Sequence, residues 1–135
     1  MIFVDTNVLV DVLDDDPVWA DWSRRQLSDA ASLGEVAIND VVYAELSVGY
    51  RTAEAVDAVL ARLQIALVPI SRPALFMAGK AFQRYRAAGG SRIGVLPDFF
   101  LGAQALVQRA DLITRDPRRY RTYFPDLGLI TPTAN

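Results

Sequence analysis

Asp5, Glu45, Asp98 and Asp116 are the side chains of this sequence whose types and surroundings could do chemistry. Asp5 ends the unbroken apolar run Ile2-Phe3-Val4, and Asp116 follows Leu112-Ile113-Thr114 in a similar way. Asp98 stands behind Pro97 at a helix start. Glu45 has Val41, Val42, Val48 and Gly49 at helical spacings of three and four, which places it within an apolar stripe. Each acid has a harmless role open to it. Asp5 and Thr6 can cap a helix, Asp98 can complement a helix dipole, Asp116 can turn the chain before Pro117, and Glu45 can snorkel to the edge of its stripe. All four, however, fall at strand ends and helix starts on one side of a single sheet. Carboxylates that converge without Lys or His partners repel unless divalent cations lie between them. Oxygen-only ligands favour Mg²⁺ or Mn²⁺ over zinc, and such a cluster is suited to metal-assisted hydrolysis of a phosphodiester. Thr114 shares a strand face with Asp116, and Gly102 and Ala105 keep one face of the Asp98 helix small, either for close packing or for room beside the acids.

Composition removes most alternatives. The 135 residues contain neither cysteine nor histidine, which excludes disulfide frameworks, thiolate or imidazole zinc sites, and Ser-His-Asp or Cys-His catalysis. One lysine, Lys80, is present. The net charge of −2 offers no overall attraction to a polyanion, but the charge is uneven. Asp14-Asp15-Asp16 is acidic, whereas Arg115, Arg118, Arg119 and Arg121 crowd the C-terminal part and could form a cationic rim beside an acidic site. No run approaches membrane-spanning length and no signal peptide is recognisable, so the expected compartment is the cytoplasm, with no membrane partner.

The elements that must position the acids alternate between strand and helix. Three apolar residues without alternation predict a first strand buried on both faces, joined almost directly to a helix from Asn7. Asp16-Pro17 predicts the start of a second helix carrying Val18, Trp19, Trp22 and Leu27 to about Gly34. Residues 36–38 form a second strand, and Asn39-Asp40 caps the helix of Glu45. A further helix covers residues 54–63. Residues 65–70 predict a third strand, at an edge because of Pro69. A helix from Pro73 carries Leu75, Phe76, Ala78 and Phe82 as its apolar positions and closes at Gly89-Gly90. After a glycine-rich loop the Asp98 helix follows, then a fourth strand over 112–114, an arginine-rich turn or helix, and a fifth strand over 127–130. This pattern predicts one α/β domain over residues 1–135 with a mostly parallel five-stranded sheet.

The residues Val4-Asp5-Thr6-Asn7, Ala44-Glu45-Leu46, Pro97-Asp98 with Gly102-Ala103 and Ala105, and Thr114-Arg115-Asp116 together resemble the PIN-domain nucleases, more narrowly the VapC toxins of VapBC toxin–antitoxin pairs. The resemblance extends through Tyr123-Phe124-Pro125 to Leu129-Ile130. It implies a three-layer α/β/α sandwich and endonucleolytic cleavage of RNA with Mg²⁺ or Mn²⁺. Asp5, Glu45, Asp98 and Asp116 would be the metal-binding acids, with Asn7 and Thr114 as polar helpers. It further implies a VapB-like antitoxin and a homodimer. For an RNA substrate, Arg115, Arg118 and Arg119 are the nearest cations to hold the backbone, with Arg92 in the loop as a lesser one. Two apolar surfaces could bind the antitoxin, one of Val18, Trp19 and Trp22 and one of Val41, Tyr43, Leu46 and Tyr50 on the Glu45 helix. The tryptophans beside Asp14–Asp16 are the expected anchors of a groove for an amphipathic antitoxin segment whose arginine reaches the carboxylates. The rival from another class is a non-catalytic PIN-like module that binds protein or RNA.

Overall fold

In the computed structural model, which describes residues 1–132, five short strands form one sheet in the order β3-β2-β1-β4-β5, with every pair parallel. The strands are β1 (Ile2–Val4), β2 (Val36–Ile38), β3 (Ile65–Leu67), β4 (Asp111–Ile113) and β5 (Leu129–Ile130). Seven helices connect and cover them: α1 (Thr6–Leu13), α2 (Ala20–Leu33), α3 (Asp40–Ser47), α4 (Ala53–Arg62), α5 (Arg72–Ala87), α6 (Leu96–Val107) and α7 (Arg118–Tyr123). β1 lies at the centre, and Phe3, Val4, Leu112 and Ile113 are fully buried, which is why these strands read as unbroken apolar runs.

The chain works outward from β1 through β2 to β3, then returns to the other side of β1 for β4 and β5. The strand order therefore reverses between β1 and β4. In an open parallel sheet, the crevice beyond the carboxyl ends at such a reversal is where ligands bind. Val4 pairs with Ile113, and the amide of Asp5 donates to the Ile113 carbonyl at 2.9 Å, so the residues that follow β1 and β4 are neighbours.

Several elements depart from their sequence pattern for identifiable reasons. The regular helix expected from Pro17 begins at Ala20. Asp16 still makes the bonds of a cap, its Oδ1 accepting the amides of Val18 and Trp19 at 2.9 Å and its carbonyl that of Ala20 at 3.0 Å, so residues 17–19 form a single turn ahead of the helix. β3 stops at Leu67, short of Pro69. Beyond it Gln104, fully buried in α6, donates to the carbonyls of Val68 and Pro69 at 3.0 Å, in place of a further strand. β3 does take the predicted edge position. In α5 the buried positions are Ala74, Ala78 and Ala81, while Leu75 and Phe76 are exposed, Phe76 by 68%. Small alanines let α5 lie close against α6, and that turns the larger apolar residues outward.

Candidate active site

Asp5 is buried at the carboxyl end of β1. Although it occupies the N-cap position of α1, its side chain caps nothing. Instead Oδ2 accepts from Thr114 Oγ1 at 2.9 Å and from the Tyr120 hydroxyl at 2.8 Å. Thr114, also fully buried, lies one residue past β4, and its Oγ1 accepts the amide of Asp116 at 3.1 Å. One hydroxyl thus links the acid after β1 to the acid after β4. Asn7 completes the bridge, with Nδ2 3.5 Å from Thr114 Oγ1 and Oδ1 accepting the amide of Arg115 at 3.3 Å.

Asp98 sits in the first turn of α6 beside Phe99, which is fully buried among the rings of Phe82, Tyr85, Tyr123 and Phe124. That aromatic packing fixes the start of α6 and with it the Asp98 carboxylate, whose Oδ2 accepts from Arg119 Nη1 at 2.6 Å. Burial pushes Asp5 up to about 6, and the charge of Asp98 adds to the shift against the opposing hydrogen bonds from Tyr120 and Thr114. Asp98 is raised by its own burial, an effect that Arg119 partly offsets. Tyr120 is pushed well above the ordinary tyrosine value, first by complete burial and then by the charges of Asp5 and Asp98. Among the described residues no arginine or lysine pairs with Asp5.

Glu45 does not lie in a buried stripe. Val42 and Leu46 are the positions of α3 that bury, and Glu45 is exposed on their flank. α3 ends at Ser47, so Val48, 89% exposed, extends no stripe. Glu45 nevertheless reaches the same end of the sheet, because Thr6 Oγ1 donates to its Oε1 at 2.7 Å and Thr6 follows Asp5 directly. Asp116 is exposed and lines a cleft of about 320 Å³ together with Tyr85, Arg92, Arg118, Arg119, Thr122 and Tyr123. As they stand, no three acidic side chains among the described residues converge tightly enough to hold an ion.

The arginines expected to form the rim are placed differently from one another. Arg115 turns away from the cleft. Its guanidinium pairs with the buried Asp11, Nη2 donating to Oδ1 at 3.0 Å, and lies 5.2 Å over the Trp19 ring. Ser23 donates to Asp11 from the other side at 2.8 Å. Arg118 and Arg119 both face the cleft, as does Arg92. Trp19 therefore stacks under Arg115, edge-on to Trp22, which packs on the core. Both rings are half-buried, so the expected anchors are already engaged, Trp19 under Arg115 and Trp22 on the core, whereas the apolar surface beside Glu45 is hollowed. There a groove of about 310 Å³ runs between α1 and α3, lined by Val10, Leu13, Leu46, Val48 and Tyr50 with Asp14 and Glu45 at its rim.

Gly102 belongs to packing. A Cβ there would stand 2.7 Å from the Phe124 ring and 3.1 Å from Tyr120, so the space at this glycine is filled by those rings and not left open. Tyr120 and Thr6 are the site groups that residue type alone does not disclose. A tyrosine in an arginine-rich helix reads as surface, and the only hint is its spacing of three and four to Tyr123 and Phe124.

Fold and site together define an α/β domain that gathers carboxylates and arginines beyond the carboxyl edge of a parallel sheet, where the strand order reverses. Residues 2–125 match the PIN domain, and the chain belongs to that family. Among solved structures it is similar to VapBC2 from Rickettsia felis bound to a fragment of its promoter DNA, with a TM-score of 0.73 and 22% identity over 97% of this chain and 98% of that one. It is also similar to VapBC-1 from nontypeable Haemophilus influenzae (TM-score 0.72, 18% identity, 97% and 98% covered) and to a toxin–antitoxin complex from Klebsiella pneumoniae (0.67, 23%, all of both chains). No curated protein matches it by sequence.

Proposed function

We propose that this PIN domain is a divalent-metal-dependent endoribonuclease acting as the toxin of a toxin–antitoxin pair. The observation that carries the reading is Asp5: a buried carboxylate beside a second one, Asp98, supplied with hydroxyl donors but with no cation of its own. Among the described residues Arg119 pairs with Asp98 alone, so the buried Asp5 is left short of positive charge, and an oxygen-only donor set suits a hard divalent ion. Asp5, Asp98 and Asp116 would hold Mg²⁺ or Mn²⁺, with Glu45 joining from the flank. When bound, the ion would lower the pKa of water and stabilise charge on the phosphate. The chain's own contribution is to fix the acids through Thr114, Asn7 and Tyr120, and to receive the RNA backbone on Arg92 and Arg118. Arg119, held by Asp98 in the free protein, would be released by an ion that takes its place.

Two of the similar structures are VapBC assemblies and the third is a toxin–antitoxin complex, which supports a VapB-like antitoxin as partner here. The groove between α1 and α3, apolar with acids at its rim, suits an amphipathic antitoxin segment that carries an arginine. A homodimer and a cytoplasmic location remain part of this reading. The test is cleavage of structured RNAs by purified protein with Mg²⁺, with Mn²⁺ and in EDTA. Cleavage should require the ion and vanish in Asp5→Asn and Asp116→Asn while the fold persists. A protein that binds RNA but never cuts it would instead be a non-catalytic binding module.

A further inference from the structure

Tyr120 has the largest fully buried side chain of the domain, at 1% exposure. Its ring packs against α6 where Gly102 leaves space, and a phenylalanine would fill that volume without burying a hydroxyl. Burying an unpartnered hydroxyl is costly, so the group is tolerated only because it finds an acceptor. The acceptor is Asp5 Oδ2, at 2.8 Å, the same oxygen that accepts from Thr114 at 2.9 Å. Two donors on a single carboxylate oxygen fix the rotation of the carboxyl group and leave Oδ1 free of both. The donors also come from different elements, since Thr114 follows β4 and Tyr120 belongs to α7, so Asp5 is gripped from two sides.

We propose that Tyr120 is a positioning residue: with Thr114 it anchors Asp5 Oδ2 and so reserves Oδ1 for a divalent cation, an inference that rests on the metal-dependent reading above. Partners that orient ligating carboxylates in this way typically carry ten- to a hundredfold of metal affinity. Thr114 is held in turn by Asn7 and the Asp116 amide, whereas the Tyr120 hydroxyl reaches Asp5 from a helix that also carries Arg118 and Arg119. Whatever moves α7 therefore moves one of the two grips on Asp5.

The experiment is calorimetric titration with Mn²⁺ alone of the parent protein, Tyr120→Phe and Asp5→Asn, with kcat and KM on one RNA substrate measured in parallel. Tyr120→Phe preserves the ring and its packing, so the fold is retained. Its Mn²⁺ Kd should rise about tenfold or more, with kcat reduced and KM for RNA unchanged. Thr114→Val should weaken Mn²⁺ binding similarly, and Thr114→Ser, which keeps the hydroxyl, should restore it. A Tyr120→Phe protein whose Mn²⁺ affinity stays within twofold of the parent's overturns the inference, even if its stability has changed, because the hydroxyl would then serve the fold alone. If the parent binds Mn²⁺ and Asp5→Asn does not, the metal-dependent reading survives that failure. If the parent itself binds none, both fall.

Discussion

Burial makes Asp5 an acid with a testable cost. Its carboxyl titrates near 3.8 when unfolded and at about 6 in the folded protein, so between those values the native state holds more protons. The corresponding stability is fully present below 3.8 and is lost as pH rises through 6, and it amounts to roughly 3 kcal/mol. Urea denaturation in EDTA should therefore show the metal-free protein weakening across that window, and Asp5→Asn should flatten the profile. Asp98 is shifted in the same sense, so part of the slope should survive the substitution. Saturating Mn²⁺ should remove the loss, because a bound cation favours the ionised form. A second outcome concerns Arg119. Removing its guanidinium from Asp98 in Arg119→Gln should raise Mn²⁺ affinity roughly tenfold, the worth of a charged hydrogen bond. Arg118→Gln takes the same charge from the same cleft, but Arg118 pairs with no carboxylate among the described residues, so it should change the affinity far less. Equal shifts in calorimetry would mean general electrostatics rather than competition for Asp98.

At the level of elements, the site depends on how closely α6 and α7 approach. Gly102→Ala forces a methyl into the Phe124 ring and crowds Tyr120, and it should cost about 1–3 kcal/mol in thermal or chemical unfolding. Asp11→Ala should cost about 2–3 kcal/mol, since it strips the partner from Arg115 and leaves Ser23 without its acceptor. What is legible in the sequence at this scale follows from periodicity and punctuation. Ile2-Phe3-Val4 reads as a strand covered on both faces and is one, Asn39 accepts the Val42 amide as a cap should, and Pro97 lies in the first turn of the helix that presents Asp98. Asp5, Asp98 and Asp116 stand out because each lies at the end or start of such an element. What the sequence hides are interactions that no local pattern encodes. The Asp11–Arg115 pair spans 104 residues and the Tyr120–Asp5 bond 115, and neither residue type predicts its partner. For Glu45 the pattern misleads: Val48 continues the apolar spacing in sequence, but the helix has already ended, and only Thr6 ties the exposed carboxylate to the site.

For the molecule as a whole, an acidic centre and a cationic cleft lie side by side at one edge of the sheet, and in the proposed nuclease the balance between them would govern how a polyanion docks. Replacing Arg118 and Arg119 together with alanine should weaken RNA binding at every sequence alike. It should also reduce the slope of log affinity against log salt by roughly 0.7 for each phosphate of a single strand that the variant no longer neutralises. A slope identical to the parent's in filter binding would place the backbone-binding surface elsewhere. The parallel order of the strands has a temporal consequence as well. β1, β2 and β3 can pair from the first half of the chain, but β1 meets β4 only across more than a hundred residues, Ile2 opposite Asp111. Pairings that distant form slowly, because the intervening loop must close first. The grip on Asp5 arrives with that last closure, since Thr114, Asp116 and Tyr120 all follow β4 in the chain. A nascent chain halted before Asp111 would hold three of the five strands and none of the clasp, so the grip on Asp5 waits until residues 111–123 have been made.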